Sequence, residues 1–444
     1  MYMHSRYISF MKKRTEIIIL LMGVLFFSGW MSPTVSAFPE NTFARNLYID
    51  KILGPIDTAA DLTADVIEEP GYAHQVQFFV VEDKDLLYFC FYHGKDIAFE
   101  SPVLGSVVLQ RSRESGELIK MKIFYKDEAD SYISIEPVEN GRSDLDIMLL
   151  GIPIQQDIIL PFDLTEAAGM SVSEIMRYAS VYVDWNFYFS DEHASLPELT
   201  MTDDLILQIR PYLKQLNDTD DGAVNREGKF VFIDTGLLQD ESGPAGLNCS
   251  GFAKWVVDGV LYPLSGGLLS IDELKQPHPD YRGNRWSEKV DTLEDPYFGL
   301  DWTRNLAVRA MEVRSGRDVR NPEEADVDYL RYHPYKEDVG YSVASLKTIL
   351  YELARTNPNH FYIGSVNTLV HGGYELRKHF HVAVLFPWLD DRGNLRVSIM
   401  ERTRETGLDE FINRYEDAFI HLVQIRHDGV FKPGEMQLDP TLNR

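Results

Sequence analysis

Two cysteines occur among the 444 residues, and one of them, Cys249, stands where a thiol can be made reactive. In "GPAGLNCSGFAKWVVDGV", Gly243 to Val260, it precedes an apolar run in which Phe252, Val256 and Val260 form one stripe and Ala253, Val257 and Leu261 the next. That is the spacing of a helix packed on a core. Cys249 therefore falls at a helix N-terminus, where unpaired N–H groups and the positive end of the helix dipole favour an anion and raise the thiolate fraction. The chemistry expected of such a group is nucleophilic attack on an acyl carbon. The competing reading is a small buried side chain, and it fits the other cysteine: Cys90 lies in the aromatic run "DLLYFCFYHG", where a thiol behaves as an apolar group.

A thiol nucleophile needs a base, usually histidine, which can come from far away in sequence. Of twelve histidines, His379 and His381 lie in "HFHVAVLF", an alternating strand pattern that places Phe380, Val382, Val384 and Phe386 on one face and His379, His381, Ala383 and Leu385 on the other. The small Ala383 beside His381 leaves room for a helix end, so His381 is the expected base. A third group should orient its ring. A hairpin centred on Asp391, in the turn "LDDRGN", sets Glu401 of "NLRVSIMERT" directly opposite His381, with Ser398 and Asn367 as fallbacks. His379 and His381 also form a His-x-His pair that, with Cys249 or Glu401, matches a zinc-binding composition. Thiol activation accounts better for the helix start, so no metal or cofactor is expected.

The segment "NCSGFAKWV", followed by "LYPLSG", resembles the nucleophile region of the NlpC-type bacterial cell-wall peptidases, papain-like cysteine enzymes whose pattern runs Asp-Cys-Ser-Gly-Phe. The His-Val-Ala-Val run resembles that family's histidine strand. The resemblance covers Leu247 to Ser265 and the strands after Phe361, and it implies a papain-like α+β catalytic domain that cleaves peptide stems of peptidoglycan, often beside a D-glutamyl residue. The chain departs from the pattern in three places: Asn248 replaces the Asp, no tyrosine occurs between Leu213 and Asn248, and the interval from Cys249 to His381 is long. The family's third residue is more often His, Asn or Gln, so Glu401 rests on strand geometry alone.

The elements that must position these residues are legible in outline. "MKKR" at Met11 to Arg14, the apolar stretch Ile17 to Trp30 and the small residues ending at Ala37 read as an export signal over residues 1–37, implying a secreted or cell-envelope protein. The formal charge of −26 and the lack of a basic stripe argue against nucleic acid as a partner. After a helical start, with "DTAADLTADVIEE" as the best helix, short strands and polar turns follow from about Pro70 to His193. These predict an N-terminal β-rich domain, sandwich or barrel-like, over residues 38–195. Its expected role is to hold the catalytic domain, with cell-envelope association as the alternative. The catalytic domain takes residues 196–444, with helices near Asp203–Leu216, Thr303–Arg314 and Ser342–Thr356. An insertion at about 265–360 is a candidate substrate-shaping lid, in which Trp302 with Asp301, Arg304 and Arg309 lines a cleft, or the aromatics serve packing.

Overall fold

The structure, a computed structural model, describes residues 38–72, 74–94, 103–189, 196–239, 245–278, 295–370, 376–391 and 393–434. The expected export signal lies outside these residues. Among them, no helix is long and apolar enough to cross a membrane. The chain divides into two compact units, Met1–Asp191 and Glu192–Arg444, and both combine helices with antiparallel sheet.

The first unit opens with helices α1 (Thr42–Ile52) and α2 (Ile56–Ala60). The best helix expected from sequence, "DTAADLTADVIEE", ends after one turn at Ala60, and its second half is strand β1 (Asp65–Glu68). Val66 and Ile67 are β-branched and pair with β2, so tertiary pairing overrides the local helical pattern. Strands β2 (Gln75–Asp83), β3 (Leu86–Gly94), β4 (Val107–Ser112), β5 (Leu118–Phe124), β6 (Tyr132–Val138), β7 (Arg142–Leu149) and β8 (Ile152–Leu160) follow in a meander. Instead of a sandwich or closed barrel, the eight strands form one sheet in sequence order, and among the described residues no pairing joins β1 to β8. One face buries Phe78, Phe89, Phe91, Leu109, Met121 and Ile135. Helices α1 and α3 (Leu164–Gly169) pack on this sheet, and α4 (Val172–Ala179) and α5 (Trp185–Phe189) complete the unit. Two buried carboxylates set the helix starts. Glu69 accepts the N–H groups of Phe43 and Ala44 at 2.8 and 3.1 Å, and Glu40 accepts those of Val172 and Ser173 at 3.1 and 2.8 Å. Each satisfies donors that a first helical turn leaves unpaired.

In the second unit a six-stranded antiparallel sheet runs in the order β11-β16-β12-β13-β14-β15. Its strands are β11 (Tyr341–Ser342), β12 (His360–Leu369), β13 (Arg377–Leu389), β14 (Leu395–Glu401), β15 (Arg404–Thr406) and β16 (Phe419–Arg426). A separate two-stranded ribbon joins β9 (Ala223–Val224) to β10 (Phe230–Val231). One sheet face, with Phe361, Ile363, Val382, Val384, Phe386 and Val423, forms a core with α7 (Cys249–Ser265) and α9 (Phe298–Ser315). Helix α6 (Leu196–Leu213) contributes Leu205, Ile206 and Ile209, and the short α8 (Ile271–Leu274) closes one side. The opposite face, with Tyr362, Val366, Ala383, Leu385 and Ile420, packs on α10 (Leu346–Thr356) and α11 (Leu408–Arg414). The sheet is thus the middle of three layers.

The segment expected to be a lid forms part of this core. Trp302 is fully buried and its Nε1 donates to the Ser250 carbonyl at 2.9 Å. Arg304 is buried against Asp326, with Asp338 at 3.0 Å. Asp301 is buried as well, so these three residues do not line a cleft. Arg309 is partly exposed and pairs with Glu312 at 2.6 Å. The reason lies in α9, where Leu300, Leu306, Ala307 and Ala310 form an apolar stripe that drives the helix onto α7.

Candidate active site

Cys249 opens α7, whose interior is almost wholly buried through Leu261. Burial of Phe252, Val256, Val257, Val260 and Leu261 contributes about 1.5–3 kcal/mol each, so the helix that carries the thiol is firmly anchored. Asn248 is its N-cap: the side-chain Oδ1 accepts the Gly251 N–H at 2.8 Å. Gly251 is required by packing, because a Cβ there would lie 1.9 Å from the Gly222 carbonyl oxygen. The first turn of α7 therefore presses directly on the backbone leading into β9, which explains the small residues after the cysteine.

His381 and Glu401 come from neighbouring strands. The ladder between β13 and β14 pairs Val384 with Met400 and Leu389 with Leu395. The hairpin is thus centred one residue later than expected from sequence. Glu401 lies diagonal to His381 instead of directly across from it, a separation that long side chains span. The His381 Nε2 and Glu401 Oε2 atoms are 2.7 Å apart. The His381 ring and the Val382 backbone N–H both act on the Cys249 sulfur in favour of its thiolate. Cys249, His381 and Glu401 therefore form one chain of interactions.

The electrostatics of the three groups follow from that chain. Burial pushes the Cys249 thiol up, yet the His381 hydrogen bond and charge, the Val382 N–H and the Arg402 guanidinium together hold it below the ordinary thiol value. Burial alone would lower His381; its bonds to Cys249 and Glu401 outweigh that and raise it to about 9. Burial alone would raise Glu401, but His381, Thr406 and Arg414 bring it down to about 2. Near neutrality these shifts favour the imidazolium and the carboxylate, and they raise the thiolate share of Cys249 above that of an ordinary thiol. Cys90, by contrast, is pushed up to about 12 by burial, and both cysteines are free thiols.

The second histidine does not share this environment. Val366 pairs with His381 but Asn367 pairs with His379, so Phe380 is an extra residue in β13, a bulge. Strict alternation would put His379 and His381 on one face; the bulge separates them. His379 Nδ1 lies 2.9 Å from Ser365 Oγ, and its backbone touches the start of α9 near Gly299. Burial, followed by the charge of His421, keeps it well below the ordinary histidine value. The His-x-His arrangement weighed for zinc is therefore not assembled. The two fallback residues also lie elsewhere. Ser398 donates to Glu405 at 2.6 Å, and Asn367 donates to the Val339 carbonyl at 2.9 Å and accepts from Arg377 at 2.6 Å.

Several participants carry no sequence signal of their own. Thr406 Oγ1 donates to Glu401 Oε1 at 2.6 Å and Arg414 Nη1 donates to the same oxygen at 2.7 Å. Tyr415 stands with its ring 5.6 Å from that of His381. Arg402 is held by Asp218 at 2.8 and 2.9 Å. The basic run "RTR" after Glu401 is a signal from which Arg402 could have been found, whereas Arg414 and Tyr415 depend on where α11 docks. A cavity of about 500 Å³ adjoins the relay, lined by His381, Glu401, Phe380, Arg402, Arg404 and Tyr415 among others.

Residues 34–187 match the model of a family described as a domain of unknown function, DUF8515. No curated protein and no solved structure matches the chain.

Proposed function

We propose that the second unit is a cysteine hydrolase of papain-like type that cleaves an amide bond. The observation that carries this reading is the place of His381 between the Cys249 thiol, on which it acts, and Glu401, whose Oε2 lies 2.7 Å from its Nε2. The Cys249 thiolate attacks the amide carbonyl. The backbone N–H groups of Cys249 and Ser250 are first-turn donors without intrahelical partners, since Asn248 takes that of Gly251, and they are suited to hold the oxyanion. The tetrahedral adduct collapses as the carbon–nitrogen bond breaks, and the His381 proton goes to the departing amine. His381 then takes a proton from water, the hydroxide adds to the thioester, and the acid leaves with Cys249 restored. Glu401 fixes the ring orientation and stabilises the imidazolium throughout.

The resemblance of "NCSGFAKWV" and "HVAV" to the NlpC-type enzymes, with the export signal read at residues 1–37, points to peptidoglycan stem peptides as the substrate, outside the cytoplasm. The first unit then serves as a holder or an envelope-binding module. Cys249→Ala and His381→Ala should each abolish digestion of purified cell wall while the thermal transition stays within a few degrees. Digestion persisting in either variant removes that residue from the mechanism. Alkylation of Cys249 by iodoacetamide under mildly acidic conditions should far exceed that of an ordinary thiol, and an ordinary rate would leave a protein with the fold but without the chemistry.

A further inference from the structure

Among the described residues, the cavity beside the relay holds one guanidinium without an ion pair, in a chain whose formal charge is −26. Three arginines line it. Arg402 is neutralised by Asp218, and Arg414 by Glu401 and Glu410. Arg404 is exposed, and among the described residues its side chain has no hydrogen bond or ion pair. The next residue, Glu405, is turned away to Arg210 at 2.8 Å and to Ser398. The same lining holds Phe380, which is 44% exposed, and Tyr415, with ring centroids 6.0 Å apart. A cavity lined by an exposed aromatic ring and an unpaired guanidinium suits an apolar group ending in an anion. A local cation also concentrates anions that the rest of this acidic chain repels.

We propose that this cavity is an anion subsite in which Arg404 docks a carboxylate of the substrate. The assignment to substrate rests on the reading of Cys249 as nucleophile: His381 and Arg402, which both line the cavity, also act on the Cys249 thiol. The substrate is then an amide that carries an acidic group near the scissile bond. Arg404 acts by binding, and the paired Arg402 and Arg414 support the relay.

Two aromatic disulfides test this without knowledge of the natural substrate. The thiolate of Cys249 attacks one sulfur, a mixed disulfide forms, and the other half leaves as a thiolate or thione. The probes are the dianionic 5,5′-dithiobis(2-nitrobenzoate) and the neutral 2,2′-dipyridyl disulfide, applied to the full chain under mildly acidic conditions, with Cys249→Ala as blank. Arg404→Gln should slow the dianionic probe about two- to fivefold, the range of an exposed ion pair, and leave the neutral probe unchanged. Arg404→Lys should recover most of the loss, and added salt should erase the difference. An equal effect on both probes, or on neither, overturns the subsite while the nucleophile stands. A neutral probe reacting with wild-type protein no faster than with an ordinary thiol overturns the nucleophile itself.

Discussion

Replacing Glu401 by glutamine tests the relay at its least expected member. The change keeps size and hydrogen-bonding capacity but removes the charge. In the native site Oε1 accepts from Thr406 and Arg414 while Oε2 faces His381. A guanidinium can only donate, so the amide introduced by the substitution would keep its oxygen toward Arg414 and turn its NH2 to His381. That forces the proton of a neutral ring onto Nδ1, facing the sulfur, and the ring can no longer accept the thiol proton. Raising His381 from 6.5 to about 9 corresponds to roughly 3 kcal/mol of preference for the imidazolium, shared between Cys249 and Glu401. If the carboxylate supplies half, its loss lowers the ring by about one pH unit. Loss of a charge-assisted hydrogen bond at about 1.5–3 kcal/mol also implies a rate about 10- to 100-fold lower. The assay is the rate of Cys249 alkylation by iodoacetamide across pH. In wild-type protein the ion-pair contribution should rise as the thiol ionises and change again as His381 loses its proton near pH 9. In Glu401→Gln the upper limb should move down and the acidic limb up, narrowing the window. Profiles that superimpose would refute the role given to Glu401. Stability should follow the same groups. His381 is raised on folding, so its contribution is complete below about 6.5 and is lost as pH climbs through about 9. Glu401 is depressed, so its contribution is present above about 4.5 and is lost as pH falls through about 2.

Four further perturbations read the support around the relay. Asn248→Asp should keep the helix cap and thus the melting temperature, while placing a negative charge beside the sulfur; the acidic limb of the alkylation profile should move up, and an unmoved limb would contradict the proximity. Asn248→Ala should instead cost about 1 kcal/mol in a denaturant titration. Lys254 and Asp258 form a fully buried pair at 2.6 Å on α7, so Lys254→Met should destabilise by about 3–5 kcal/mol by stranding the carboxylate, and adding Asp258→Leu should recover much of it; equal losses in the single and double variants would reject this. Gly251→Ala should lower the melting temperature strongly because its Cβ meets the Gly222 backbone, and wild-type stability would mean that the α7 contact is looser than described.

Sequence periodicity was sufficient for elements whose neighbours are adjacent in the chain. The strand meander of the first unit, the helix beginning at Cys249 and the hairpin holding His381 and Glu401 all follow from alternation, helical stripes and turn residues. It failed where a distant partner decides. The segment after Ala60 has a helical pattern but meets β2 and becomes strand. The stretch around Trp302 contains charges suited to a cleft, yet its apolar stripe meets α7 and its charges pair internally with Asp326 and Asp338. The hairpin centre was displaced by one residue, and Glu401 still reaches His381 because a glutamate side chain tolerates a diagonal offset. Arg414 and Thr406 could not be assigned from sequence, because their only qualification is where α11 and β15 pack.

Phe380 has a consequence for how this strand tolerates change. Two imidazoles separated by one residue behave oppositely, His381 held basic at about 9 and His379 kept well below 6.5, and what separates them is a single surplus position in the ladder. The pairing of β13 with β12 thus encodes information that residue identity does not. Phe380 can be exchanged for many side chains without altering which ring meets the sulfur. Removing it would close the bulge and leave Asn367 opposite His379 and Val366 opposite His381, so that each ring would keep its present face.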